Sequence, residues 1–322
     1  MENVNTATLH FNTKKRINPG FWFVVMGAAL WGADPLFRIL LLKYFTSTQI
    51  VLLEHILLFV FAAPVLWRHR AELKSIRLRH AVALIFISWG GSAIASILFT
   101  QALSPAHGDL NAVLLLQKMQ PIFAIVLARI ILKEHLPKYF SWLIVVALTG
   151  TYLLTFGFSL PFGHFNNFIK VGSLLSLGAA ALWGGSTVMG RYMLGSMKYE
   201  TVTSLRFILA LPLLFIINAS QGAAWTVPTG GAEITSISIN LFLQALLPGM
   251  LSLLLYYKGL STTKASFATL AELSFPMVGV LINWIAFHQM ITWAQFTGFI
   301  FIWVTLFIIS RQQQPEPAES LQ

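Results

Sequence analysis

The chain has 322 residues, 57% of them hydrophobic and only 10% charged, with no cysteine and a formal net charge of +10. That balance is too apolar for a soluble domain of this length and identifies an all-α polytopic membrane protein. The positive charge does not describe a nucleic-acid surface, because the basic residues sit in short clusters between apolar runs instead of on one solvated face. Without cysteine there are no disulfides, thiolate nucleophiles or Cys-ligated metals.

Residues 1–20 form a polar leader containing Lys14-Lys15-Arg16 just ahead of an apolar run from Phe21. A cleavable signal peptide begins in a similar way. This run, however, continues to about Leu42, lacks a small-residue cleavage pattern and carries Asp34 and Arg38, so it is read as a retained first helix. Apolar runs then recur, and the ten together cover about 21–41, 48–67, 81–103, 110–132, 139–157, 170–194, 200–218, 239–257, 265–287 and 293–310, each predicted to be a transmembrane helix. The connections are short and carry turn residues, as in Ser104-Pro105 and Pro161-Phe162-Gly163. The longest, Gln221 to Ile239, contains Pro228 and Gly230-Gly231. The tail from Gln312 to Gln322 is polar and contains proline, and is expected to be disordered.

Fifteen Lys and Arg residues fall on one side of these helices, and only Lys43 and Lys170 on the other. By the positive-inside rule both termini are cytoplasmic, and the protein is expected in the cytoplasmic (inner) membrane. The chain also contains itself twice. Ala29-Leu30-Trp31-Gly32 recurs as Ala181-Leu182-Trp183-Gly184, an offset of 152 that also sets Glu54 on Arg206. At an offset of 155, Pro121 falls on Pro276, Gln117 on Glu272 and Ile130 on Ile285. Five helices per copy is an odd number, so the second copy enters the membrane from the opposite side. The expected organisation is two inverted five-helix repeats, 21–157 and 170–310, joined by a loop at 158–169 and flanked by the leader and a tail from 311, with a site near midplane between them.

The two A-L-W-G segments, Leu205-Arg206-Phe207, Pro121 with its apolar run ending in Lys133-Glu134-His135, and the Pro276 segment together resemble EamA-type members of the drug/metabolite transporter superfamily, from about residue 20 to 310. Glu54-His55 stands where the second repeat has Arg206-Phe207, and His288-Gln289 where the first has the Glu134 end of its pattern. The resemblance implies a ten-helix transporter of small metabolites, commonly amino acids or related compounds and often an exporter. It further implies a cavity lined by helices including the third, fourth, eighth and ninth, and no tightly bound cofactor. A zwitterionic or anionic metabolite is the expected substrate, the lipid bilayer the other partner, and the working unit a monomer or homodimer.

Counting along each helix at 1.5 Å per residue puts Asp34, Glu54 and Lys118 on the order of 10 Å below the outer surface. Buried ionisable groups at that depth are costly, so they either pair or face a wet cavity. Arg38 is four residues beyond Asp34 and reaches it along one helix face. As a site, Lys118 would meet a substrate anion, while Asp34 or Glu54 would receive an amine or a coupling proton. As a brace, the three would lock helices together. Gln117 and Gln120 flank Lys118. His55 titrates near neutral pH if it faces water, and otherwise packs. Arg206 and Glu272 form a second layer toward the cytoplasm, expected to pair as an inner gate or brace. Trp31 and Trp183 are the preferred aromatic wall residues, with Trp89 and Trp284 read as candidates for the interface. Pro35, Pro121 and Pro276 are expected to bend their helices or free carbonyls.

Neither Glu54-His55 nor Glu134-His135 has metal-ligand spacing, no nucleophile motif occurs, and Gly90-Gly91 lacks a phosphate-loop pattern. Glu134 is expected to make a solvated ion pair or to play a positioning role in a cytoplasmic loop. The chain is therefore read as a transporter and not an enzyme. A flippase for lipids or lipid-linked metabolites is the nearest alternative, and a membrane-embedded enzyme the more distant one.

Overall fold

Lipid offers no partner to a bare backbone, so each apolar run satisfies its own N–H and C=O groups by becoming helical. The computed structural model describes residues 18–107, 110–159, 170–226, 228–288 and 290–311. Most of the leader, the Pro161-Phe162-Gly163 turn, Gln289 and the tail lie outside the described residues. The helices are α1 (Pro19–Leu41), α2 (Ser47–Arg68), α3 (Leu78–Ala102), α4 (Ala112–Ile131), α5 (Phe140–Phe156), α6 (Val171–Met193), α7 (Tyr199–Gln221), α8 (Gly231–Leu260), α9 (Ala265–Ile282) and α10 (Trp293–Ser310). Among the described residues, nine helices are long and apolar enough to cross a membrane, and α5 is a shorter tenth, at 17 residues.

The boundary that differs most from the sequence reading is the start of α8. Helix α8 begins at Gly231, eight residues before the expected Ile239, because its first turns expose Glu233, Thr235, Ser236 and Ser238, and Ile234 and Ile237 among them are too few to make an apolar run. At 30 residues it is about 45 Å long, longer than the roughly 30 Å hydrocarbon layer, so its start projects beyond it.

Helix contacts follow the repeat. Helix α2 packs on α7 and α5 on α10, while α1 lies against α8 and α9 as α6 lies against α3 and α4. Exchanging helices 1–5 for 6–10 leaves that pattern unchanged, as inverted repeats about a pseudo-twofold axis require. Individual positions agree. Ile130 and its counterpart Ile285 are 67% and 68% exposed on the outer face of the bundle, and Lys133 and its counterpart His288 share a left-handed backbone at φ 52° and 53°.

The A-L-W-G glycines explain themselves in this packing. A Cβ on Gly32 would lie 2.7 Å from the Phe275 carbonyl oxygen, and one on Gly184 would lie 2.9 Å from that of Gln120. Gln120 and Phe275 are themselves repeat-related at the 155 offset. Each glycine thus lets the first helix of one repeat press on the proline-containing helix of the other.

Those prolines interrupt three helices. Because Pro35, Pro121 and Pro276 donate no hydrogen bond, the residues before them tighten. In α1 and α9 the result is a 3₁₀ turn, Trp31–Ala33 and Glu272–Ser274. In α4 it is a break between Leu110–Gln117 and Gln120–Ile131, where Lys118 and Met119 bond three residues back. The α4 break and the α9 turn are repeat-related. Helix α6 has Thr187 in place of proline and runs unbroken. Both third helices contain a π-helical stretch, Phe86–Ile94 in α3 and Ala245–Leu251 in α8.

Glu134 does more than sit in solvent. Its carboxylate accepts from the Ala265 and Ser266 N–H groups, at 2.8 and 3.1 Å, and from the Ser266 hydroxyl, so the end of α4 caps the start of α9.

Candidate functional site

Polar side chains beside the three interruptions line one cavity between the repeats. Its volume is about 130 Å³. Every helix except α5 and α10 contributes to its lining, which is wider than the four helices the resemblance singled out. All nine residues singled out from the sequence, Trp31, Asp34, Arg38, Glu54, Gln117, Lys118, Trp183, Arg206 and Glu272, line this one space, as does His55.

Their pairing differs from expectation. Arg38, and not Lys118, joins the two acids of the first repeat: its Nε donates to Asp34 at 2.6 Å, its Nη2 to Glu54 at 2.9 Å and its Nη1 to Thr100 at 2.9 Å. Gln244 of α8 also donates to Glu54, at 3.2 Å. Every Nε and Nη group of this guanidinium is used, the arrangement a buried arginine requires.

Lys118 faces the other way. Its Nζ donates to Gln117 at 2.9 Å and lies over the ring of Phe275, and no carboxylate approaches within 4.0 Å among the described residues. From there a chain of amides leads across the repeats: Gln117 donates to Gln120 at 3.2 Å, and Gln120 donates to Glu272 of α9. Glu272 also accepts from Tyr256, and from Thr187 at 3.2 Å.

Arg206 and Glu272 form no ion pair in this structure. Arg206 donates to Ser92 at 2.6 Å and to the Tyr257 hydroxyl at 2.9 Å. The two expected partners therefore hold consecutive tyrosines of α8. Adjacent helical residues diverge by about 100°, so the two rings leave in different directions, toward α9 and α7.

The walls are aromatic. Trp31 packs on Tyr256 with centroids 5.0 Å apart, and Trp183 packs on Phe99 at 5.3 Å while its indole N–H donates to the Gly91 carbonyl at 2.8 Å. Trp89 and Trp284 are 41% and 45% exposed and take no part in the lining. Sequence reasoning missed Thr187, Tyr256, Tyr257, Ser92 and Phe275. Hydroxyls and rings in an apolar helix carry no depth or charge signal, although Tyr256-Tyr257 stands out once α8 is known to face the axis. No group of three or more metal-ligating side chains occurs among the described residues.

With site and repeat in view, the comparisons are specific. Residues 18–156 and 170–311 each match the model of the EamA-like transporter family. The chain belongs to the EamA-like transporter family. It is also 30% identical over 298 residues to "Riboflavin transporter ImpX" of Fusobacterium nucleatum subsp. nucleatum, covering 91% of this chain and 97% of that one. A crystal structure at 15% identity aligns with a TM-score of 0.71 over 91% of this chain and 98% of its own, which shows the shared fold. This EamA-like protein is thus a multi-pass membrane transporter, and its substrate is a small molecule.

Proposed function

We propose that this EamA-like transporter moves a flat, neutral heteroaromatic metabolite of the flavin class across the cytoplasmic membrane by alternating access, with the central cavity as its site. The observation that carries this is the balance of the lining. Asp34, Glu54 and Glu272 stand formally against Arg38, Lys118 and Arg206, inside walls built from Trp31, Phe99, Trp183, Phe207, Tyr256 and Phe275. A lining that is neutral in sum offers a charged solute little, whereas aromatic walls with amide and hydroxyl edges suit a ring system rich in carbonyl and ring nitrogen. The 30% identity to a riboflavin transporter supports the same class.

A zwitterionic or anionic metabolite, moved outward, is the second reading, and one observation favours it. Lys118 has no carboxylate within 4.0 Å among the described residues and offers donors to an incoming anion. The two readings separate in proteoliposomes holding the purified protein. Saturable riboflavin uptake, followed by its own fluorescence and not displaced by excess amino acids, is the expected result. Riboflavin flux equal to that of empty liposomes, alongside saturable flux of an amino acid, would overturn it. Repeating the measurement with the pH gradient imposed in each direction reads proton coupling and the preferred direction.

A further inference from the structure

His55 lines the cavity at 2% exposure and plays no part in the ionic networks. Its Nδ1 lies 2.8 Å from the Val51 carbonyl oxygen, one turn back on α2. A carbonyl only accepts, so Nδ1 carries the hydrogen of that bond, and in the neutral ring Nε2 is then a bare acceptor. Nε2 has no hydrogen-bond partner among the described residues. Buried polar atoms are almost always satisfied, so an acceptor nitrogen without a partner, in a side chain that lines the cavity, calls for one.

The repeat sharpens the point. At the 152 offset the counterpart of His55 is Phe207. The two rings meet edge to face, centroids 5.8 Å apart and planes at 75°, where α2 packs on α7. Both face the cavity. The pseudo-twofold axis therefore passes between an apolar ring and an imidazole whose one donor is spent on Val51 and whose acceptor nitrogen has no counterpart on the phenyl ring. That nitrogen distinguishes two rings that the repeat otherwise sets in equivalent places.

We propose that His55 is a specificity residue whose Nε2 accepts a hydrogen bond from a ring N–H of the substrate, which for a flavin is the imide N–H between its two carbonyls. This rests on the flavin reading above. Lys118 supplies a donor and His55 an acceptor, the two polarities that an imide edge presents in reverse.

The test compares riboflavin with 3-methylriboflavin, which keeps the ring system but has no imide N–H, in proteoliposomes of the wild type, His55→Phe and His55→Gln. The wild type should show a half-saturation concentration for the methylated compound raised about three- to tenfold, the size of one neutral hydrogen bond. In His55→Phe the value for riboflavin should rise to that of the methylated compound, whose own value stays in place. His55→Gln, which retains an acceptor oxygen, should fall between. Equal effects of His55→Phe on both compounds, or a wild type that treats them alike, would show a packing role and overturn the proposal while leaving flavin transport intact. Absence of saturable riboflavin flux in the wild type would overturn the flavin reading and this assignment with it. Should His55→Phe fail to reach the membrane, the wild-type comparison and His55→Gln still decide.

Discussion

Arg38 and Lys118 are both buried basic residues of one cavity, and they differ in what their removal leaves behind. Arg38 holds two carboxylates, so Arg38→Met leaves Asp34 and Glu54 facing each other without a counter-charge. Breaking a buried pair in this way costs about 3–5 kcal/mol, and the yield of monodisperse protein in detergent should fall sharply. Lys118→Met orphans no acid within ion-pair range and should insert in near-normal amount. With Lys118 as a substrate donor, as proposed above, it also removes a hydrogen bond of about 1.5–3 kcal/mol when the donor is charged, so the half-saturation concentration should rise roughly tenfold or more. Membranes emptied of Lys118→Met, with transport normal in what remains, would make that residue a brace. The contrast also shows what a sequence conveys. The rise per residue gives depth, and depth did gather these side chains into one space. Direction around the helix depends on the packing partner, so the i,i+4 contact of Arg38 with Asp34 was legible, whereas the cation serving Glu54 was not.

At the level of elements, the central piece is the last turn and a half of α8, where Tyr256 holds Glu272 of α9 and Tyr257 holds Arg206 of α7. The two charges are kept apart by hydroxyls on one helix. Any shift of α8 that frees both leaves a buried cation and a buried anion lining the same cavity, for which pairing is the natural resolution. Arg206→Glu and Glu272→Arg should each abolish uptake, and the double reversal should restore a measurable fraction if the pair forms in the opposite-facing state. No recovery, in a double variant inserted at wild-type level, would argue that the tyrosine contacts are the permanent ones. The interruptions around this region were written plainly, since a proline at Pro35, Pro121 or Pro276 withdraws one N–H whatever surrounds it. The start of α8 was hidden, because a helix turn that projects past the bilayer needs no apolar face.

At the scale of the whole molecule, one inference orients everything else: an odd number of helices per repeat combined with fifteen basic residues on one side and two on the other. The repeat itself is now visible in packing, since the same glycine-to-carbonyl contact occurs twice, at Gly32 with Phe275 and at Gly184 with Gln120. The side of the membrane on which each end lies follows from charge alone, and the chain is well suited to testing it because it contains no cysteine. Thr226, in the α7–α8 connection, and Ser196, in the α6–α7 connection, are both exposed and lie beyond opposite ends of α7. Thr226→Cys should react with a membrane-impermeant maleimide in intact cells, or in spheroplasts where an outer membrane blocks access. Ser196→Cys should react only after lysis, because Lys198 and Arg191 near it belong to the basic set that the positive-inside rule assigns to the cytoplasm. The reverse pattern would turn the molecule over, exchange the inner and outer polar layers, and make the Glu134 cap on α9 an outer contact instead of a cytoplasmic one. Labelling of both in intact cells would break the alternation and with it the ten-helix threading on which the inverted repeat depends.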